Sequence, residues 1–526
     1  MKRSNLFKFL GAFMLLLVLI ACSDSDNADE NGDSQDEIKS GGELNLAFPS
    51  QPPTLDNHLT TMRSTVEVTR HIFETLVTYD SDYNVVPMLA ESWDESEDGL
   101  TYTFHLREGV KFHNGEEMTA DDVVASMNRW LENSGAGKET FTDAVFTKID
   151  DQTVQLELQS PVSITLAILA FNGANLASIM PAEIAEAAGD ENVSEYIGTG
   201  PFQFEEWKQD QYIHLSKFDD YVALDEPSDK LAGKKEALVD DLYFHYVSDS
   251  HTTLSGLMTG EYDVASSVSF DGIDQIKNDE NIVIDSAPDM RMSLYFNKKK
   301  GLFADPVARK AIAVGINNDD ILLASFANPE YYGFTHHLMM YHQEEQWYSD
   351  IGKDLFNQND VEEAKQLLEE AGYDGEEITL MVGRDHDYIY NASVVLQEQL
   401  EQMGINTKLA VYDSATVTEL RDDENAYDLY MKSDTPRSEP TSLLFMKSSY
   451  SGWTDSPELE ELLQDFWGQP NLESAIDLYD DLQEWYTEYL PIIKIGDGNA
   501  LYAYRSNIQG IEWMDGLMFW NTGFTE

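Results

Sequence analysis

Cysteine is almost absent. Cys22 is the only thiol in 526 residues, so neither a disulfide within the chain nor a CxxC metal site can form. Basic residues are scarce too: 33 against 97 acids, for a formal net charge of −64. Nucleic-acid binding rests on Lys and Arg meeting phosphates, so such a surface excludes that partner. It repels anionic headgroups for the same reason. The common catalytic motifs are missing: no GxSxG, HExxH, GxxxxGK[ST] or GxGxxG occurs. "GAGKE" (135–139) lacks both the earlier glycine of a phosphate loop and the Ser/Thr after its lysine, and reads as a loop. Acids are too common for any Asp/Glu pair to mark catalysis, and no enzyme is expected. The longest apolar run, residues 9–21, falls short of the roughly 20 residues that a membrane-spanning helix needs. No internal repeat is visible.

What is present begins at the N-terminus. Lys2, Arg3 and Lys8 precede that apolar run, and a small residue, Ala21, closes it. This is the layout of a secretion signal, residues 1–21. Leu19-Ile20-Ala21-Cys22 resembles the lipobox of bacterial lipoproteins, which implies a mature chain starting at Cys22 with lipid on that residue. Acyl chains contribute about 0.8 kcal/mol per buried CH₂, enough in pairs to hold a protein on a bilayer. Residues 22–40 would then be the lipidated cysteine and a disordered acidic tether, too poor in apolar surface to fold. No cofactor is expected beyond this covalent lipid. The remaining acids are spread over every segment, which suits a solvated surface in high salt and a salt-tolerant, halophilic source.

The body from 41 onward is too long for one core. "DVEEAKQLLEEAGYDGEEITLMV" gives a helix capped by Asp360, with Ala364, Leu367, Leu368 and Ala371 on one face. A stop at Gly372 and an alternating strand, Ile378 to Val382, follow. "VVLQEQLEQMGINTKLAVY" repeats the plan, with a stop at Gly404 and a strand from Thr407 to Tyr412. Strand–helix–strand of this length implies a parallel pair. Leu100, Tyr102, Phe104 and Leu106 alternate with polar residues, as in a sheet with one wet face. The fold class is α/β with antiparallel additions.

Two clusters invite chemistry. His336, His337 and His342 lie within seven residues, with Met339 and Met340 between them. They are candidate ligands for Ni²⁺, Cu²⁺ or Zn²⁺, or a polar loop with aromatic packing. Arg384, His386 and Tyr388 fall in the loop beyond the carboxyl end of the strand Ile378 to Val382, where open α/β sheets bind ligands.

"VVPMLAESWDESEDGLTYTFHLREGVKFHNGEEMTADDVVASMNRW" (85–130) resembles the signature block of the family 5 extracellular solute-binding proteins. These are the oligopeptide-, dipeptide- and nickel-binding lipoproteins of ABC importers. Further landmarks occur in order: "GGELNLAF" (41–48), "PPTLDNH" (52–58), "IGTGPFQFEEW" (197–207), "SGLMTGEYDVA" (255–265), "YFN" (295–297), "DPVARKAIAVGIN" (305–317) and "SEPTSLL" (438–444). The resemblance implies a two-lobed periplasmic-binding-protein fold of type II with an extra subdomain. Lobe I would be 41–295 plus 498–526, including the subdomain 78–196, and lobe II would be 296–497. Two crossings would form the hinge, and the ligand would lie between the lobes. The implied role is capture of short peptides outside the cytoplasmic membrane and delivery to a permease with separate ATPases. The protein would be a monomer on the membrane's outer face. A nickel or metal–chelator complex as ligand, and a surface sensor as a different class of function, are the alternatives.

In peptide binders of this family an Asp just before the EPTS-like run takes the peptide's ammonium. Aligned without a gap, that column falls on Pro436, with Asp434 two residues earlier and Arg437 just after. Asp434 is the candidate for the ammonium, while Arg437 would favour a carboxylate through its planar fork. Thr61, Met62 and Arg63 follow the PPTLDNH loop, where the family lines its cleft. Phe112 and Asn114 read as packing of the subdomain.

Overall fold

Residues 38–525, apart from 344 and 345, are described in a computed structural model of the chain. The signal segment 1–21, Cys22 and most of the tether lie outside the described residues. The body includes residues before position 41, its expected start. The Lys39 amide donates to the Phe524 carbonyl at 2.8 Å in an isolated antiparallel bridge, and Ile38 is half-buried against Gly523. An apolar residue after the acidic run, with a backbone partner at the C-terminus, brings 38–40 into the body.

Two long antiparallel strands, Ile282–Phe296 and Ile492–Arg505, run through the centre of an eleven-stranded mixed sheet. Their register runs from Ile282 opposite Arg505 to Tyr295 opposite Ile492. It shifts between Pro288 and Met290, because a proline has no N–H for the ladder and is tolerated at a bulge. On one flank lie Leu429–Asp434, Ile378–Gly383 and Thr407–Tyr412 in turn. On the other lie Val264–Ala265, Glu43–Phe48, Asp241–Tyr246, Tyr212–Lys217 and Phe202–Lys208. The long pair is thus shared by both flanks.

The 378–434 flank follows the hydrophobic spacing. Asp360 caps the helix Val361–Glu370 by accepting from the Glu363 amide at 3.0 Å, and Ala364 and Leu368 are buried. The strand Ile378–Gly383 pairs in parallel with Thr407–Tyr412 and with Leu429–Asp434. One expectation changes here. The helix between the first two strands begins at Asp387 and runs to Gln402, so Tyr388 stands on its first turn and His386 at its N-cap. The apolar face formed by Ile389, Ala392, Leu396 and Leu400 extends one turn further back than the loop reading assumed.

A separate four-stranded antiparallel sheet, in the order Ala90–Glu95, Thr101–Leu106, Thr153–Glu157 and Val145–Asp150, carries the signature block. Tyr102, Phe104 and Leu106 point inward, and Phe112 is buried with them. The helix Ala120–Asn133 covers this sheet. It starts on a capping box of Thr119 and Asp122, which satisfies two free helix-end groups. Its Trp130 is fully buried, and the indole N–H donates to the Asn175 carbonyl at 2.7 Å. Truncating such a side chain costs about 3–5 kcal/mol. "GAGKE" is not a loop: Gly135–Thr140 is a short helix, because the Ser134 hydroxyl caps it through the Gly137 amide at 2.8 Å. No helix among the described residues is long and apolar enough to cross a membrane.

Candidate ligand cleft

The bulged middle of Ile282–Phe296 places Asp289 and Arg291 two positions apart, between the flanks. Arg63 opens the helix Arg63–Thr69 on the 43–265 flank. Its guanidinium bonds Asp289 and also Glu67, the latter at 2.8 Å, and lies 5.3 Å from the centre of the Trp513 ring. Burial lifts the Asp289 carboxyl to about 6 despite the opposing charge of Arg63. Thr61 and Met62, just before this helix, are exposed.

On the other side, Tyr388 stacks on Phe326 at 5.8 Å and meets the edge of Phe270 at 6.4 Å. Burial pushes its hydroxyl up to about 12, with Ser433 acting the other way. His386 is exposed and its ring lies 5.6 Å from Tyr388. Arg384 is also exposed, and its amide donates to the Tyr412 carbonyl at 2.9 Å. Tyr388 is therefore joined to the cleft's aromatic wall, while Arg384 and His386 stay at the rim.

Asp434 ends the strand Leu429–Asp434, and both of its carboxylate oxygens are taken by nearby side chains. Lys432 Nζ is 2.7 Å from Oδ1, and the Tyr295 hydroxyl donates to Oδ2 at 2.8 Å. Burial alone would raise its pKa, but Lys432 and Arg291 outweigh that and hold it below the ordinary value. Arg437, three residues on, lies 5.7 Å from the centre of the Phe171 ring, which belongs to the opposite flank. Its backbone is fixed by Gln343 Nε2, which donates to the Arg437 carbonyl at 2.7 Å. Pro436 is buried beside it.

The three histidines face different neighbours. His336 Nε2 meets the Ser349 carbonyl at 2.7 Å. His337 is fully buried, and burial, followed by the charge of Lys494, drives its pKa down to about 3. His342 reaches the Tyr83 hydroxyl of the other flank at 3.3 Å, and its pKa falls to about 4 through burial. Lys494 Nζ threads the same segment, 2.6 Å from Thr335 Oγ1, and its charge opposes a second cation there. Among the described residues, no three His, Cys, Asp or Glu side chains group so as to hold a metal ion.

Lys432, Asp289, Arg291 and Phe171 were missed from the sequence, although two of the signals were legible. Lys432 lies two residues before Asp434 in a strand and so shares its face. Asp289 and Arg291 are opposite charges two positions apart in the middle of a long, largely buried strand, where charges rarely stand without a task. Phe171 carried no local signal.

The chain belongs to the bacterial extracellular solute-binding proteins of family 5, whose middle-region model matches residues 84–486. It is a binding protein and not an enzyme, with the α/β architecture of the type II periplasmic-binding class. Among its relatives is the "probable peptide ABC transporter periplasmic-binding protein y4tO" of Sinorhizobium fredii, 29% identical over 86% of this chain and 87% of that one. The dipeptide-binding protein of Escherichia coli is 28% identical over 81% and 83% of the two chains. A structure of DppA from Helicobacter pylori in complex with the peptide STSA superposes with a TM-score of 0.74 at 23% identity, covering 92% or more of each chain.

Proposed function

We propose that this protein captures short peptides outside the cytoplasmic membrane and delivers them to the permease of an ABC importer whose ATPases are separate chains. Two peptide-binding relatives matched over more than four-fifths of their length support the peptide class. The observation that carries the reading is the meeting of Arg437 with Phe171 of the opposite flank, and of Arg63 with Asp289 on the long pair. Charged and aromatic groups of the two flanks thus meet one another and the strands that both flanks share. In this reading lobe I comprises 41–295 and 498–526, with a subdomain at 78–196, and lobe II comprises 296–497. The long pair is the hinge, and the lobes close on the ligand. Lipid on Cys22 holds the protein to the membrane's outer face.

Native mass spectrometry of the full chain, purified gently in detergent, tests the ligand class. Added masses matching short peptides are expected, and a single adduct containing nickel or a metal chelate would overturn the reading. Cys22→Ser should release the protein into the medium, and a C22S protein that stays on the membrane would overturn the anchor.

A further inference from the structure

The charges along the long pair are not arranged to receive an ammonium group. Asp434, the acid nearest the expected column, already holds Lys432 at 2.7 Å, and that lysine also donates to the Tyr450 hydroxyl at 2.7 Å. On the adjoining long strand, Asp497 is paired with Lys494 at 2.8 Å. Arg291 stands in register between these acids, opposite Asp434 on one side and Asp497 on the other. Both acids pair with lysines instead. Arg291 is 3% exposed, yet its hydrogen bonding among the described residues is one long contact to the Leu338 carbonyl at 3.4 Å, and its Nε is buried without a partner. Its guanidinium lies over Phe445 at 5.7 Å.

Arg437 completes the picture. Among the described residues its guanidinium makes no hydrogen bond or ion pair, and it lies 5.7 Å from the centre of the Phe171 ring. An arginine does not shed its proton to escape burial. A guanidinium held out of water with so few acceptors, as at Arg291, is costly until an anion arrives, and the half-buried Arg437 has its donors unspent. The remaining acids nearby do not fill that role. Glu439 Oε2 is spent on the Thr441 amide and hydroxyl at 2.7 and 2.6 Å. Burial raises the carboxyls of both Glu439 and Asp515, the latter against the charges of Arg63, Arg70 and Arg437.

We propose that Arg437, with Arg291 behind it, receives a carboxylate of the ligand, so that this protein selects its solute by an acid end and does not require a free ammonium. A carboxylate matches the planar guanidinium fork with two parallel hydrogen bonds. This inference rests on the cleft being the ligand site proposed above, and it narrows the substrate class to carboxylate-bearing solutes.

The test is a thermal-shift and titration panel on the full chain in detergent. Its probes are short peptides with both ends free, the same peptides N-acetylated, the same peptides C-amidated, non-peptide mono- and dicarboxylates, and inorganic phosphate. Free and N-acetylated peptides should bind within about threefold of each other, with amides at least tenfold weaker. Arg437→Gln should bring the acids down to the level of the amides, and Arg437→Lys should recover only part of the loss. If amides bind as well as acids, or R437Q leaves the acid-to-amide ratio unchanged, the inference falls while the peptide reading stands. If no peptide binds but other carboxylates do, with a loss in R437Q, the peptide reading falls and acid recognition stands. Preference for phosphate, or no response to any carboxylate, overturns the inference.

Discussion

Ser163 donates its hydroxyl to the Phe466 carbonyl at 2.7 Å and its amide to the Trp467 carbonyl at 3.0 Å. These bonds tie the segment bearing the four-stranded sheet to the end of the helix Pro457–Trp467, which belongs to the opposite half of the chain. Lys447 and Glu139, 2.5 Å apart, and the Tyr102 hydroxyl with the Pro470 carbonyl, at 3.4 Å, span the same gap. Gly99 makes the tightest approach. It has a φ of +66°, and a Cβ there would lie 2.7 Å from the Pro470 carbonyl oxygen. A side chain at this turn would be strained and would also hold the two halves apart.

If the lobes close by hinge motion, these contacts form only on closure. Ser163→Ala should then weaken ligand binding by about fivefold, the equivalent of one hydrogen bond of about 1 kcal/mol. The change should appear in the dissociation rate, with association and the melting point of the empty protein nearly unchanged. Gly99→Ala should act in the same direction and more strongly. Stopped-flow kinetics on both variants checks this, and a loss confined to the association rate would contradict it.

Lys432 and Asp434 form an ion pair in which both side chains are mostly buried. Lys432→Met leaves the Asp434 carboxylate with Tyr295 as its remaining hydrogen-bond donor, and it should cost about 3–5 kcal/mol of stability. The double variant Lys432→Met/Asp434→Asn removes both charges and should recover much of that loss. Urea unfolding of the four proteins gives the coupling directly. A loss in the double variant equal to the sum of the two single losses would mean that the pair is not energetically coupled.

Much of the architecture was legible in the chain because it is locally encoded. Asp360, Gly372 and Gly404 punctuate the 360–412 region as helix cap and stops, and the strands fall where the alternation places them. The cleft was less legible because its partners are distant in sequence. Arg63 meets Asp289 across 226 positions, and no local pattern announces that contact. Arg437 was legible as the cation just after the expected Asp column, but Phe171 beneath it was not. Asp434 was named as a candidate, while the lysine that occupies it, two residues away, was overlooked. Tyr388 was named as a candidate but placed in a loop, because Asp387 gives only a weak start signal for its helix.

Salt should stabilise this protein. The formal net charge of −64 means that like charges repel across most of the surface. Raising ionic strength from 0.01 M to 1 M shortens the screening length from about 30 Å to about 3 Å. The melting temperature should therefore climb with NaCl, steeply below 0.5 M. Most of that gain should be reproduced by KCl, since screening does not depend on which monovalent cation supplies it. A melting temperature independent of salt would remove the argument that the acidic surface is suited to brine.

His71 gives a pH signature with a definite sign. It is fully buried, and its Nε2 accepts from the Phe519 amide at 3.1 Å, so the proton of the neutral ring belongs on Nδ1, facing the Val68 carbonyl at 3.3 Å. Burial, then the charge of Arg70, lowers its pKa to about 3. His58, buried beside Asp56 and Arg129, falls to about 4 for the same leading reason. The unfolded chain takes up protons on both near pH 6.5. Above that pH both states are neutral at these rings and stability does not depend on them. Below it the unfolded state binds protons that the native state refuses, so stability falls as pH drops from 6.5 toward 3, by at most about 1.4 kcal/mol per unit and per histidine. His71→Gln keeps an acceptor for the Phe519 amide but cannot take up a proton. Its destabilisation should be largest at pH 7 and should shrink steadily toward pH 4.5. A difference between wild type and H71Q that stays constant across that range would show that His71 titrates alike in the folded and unfolded chains.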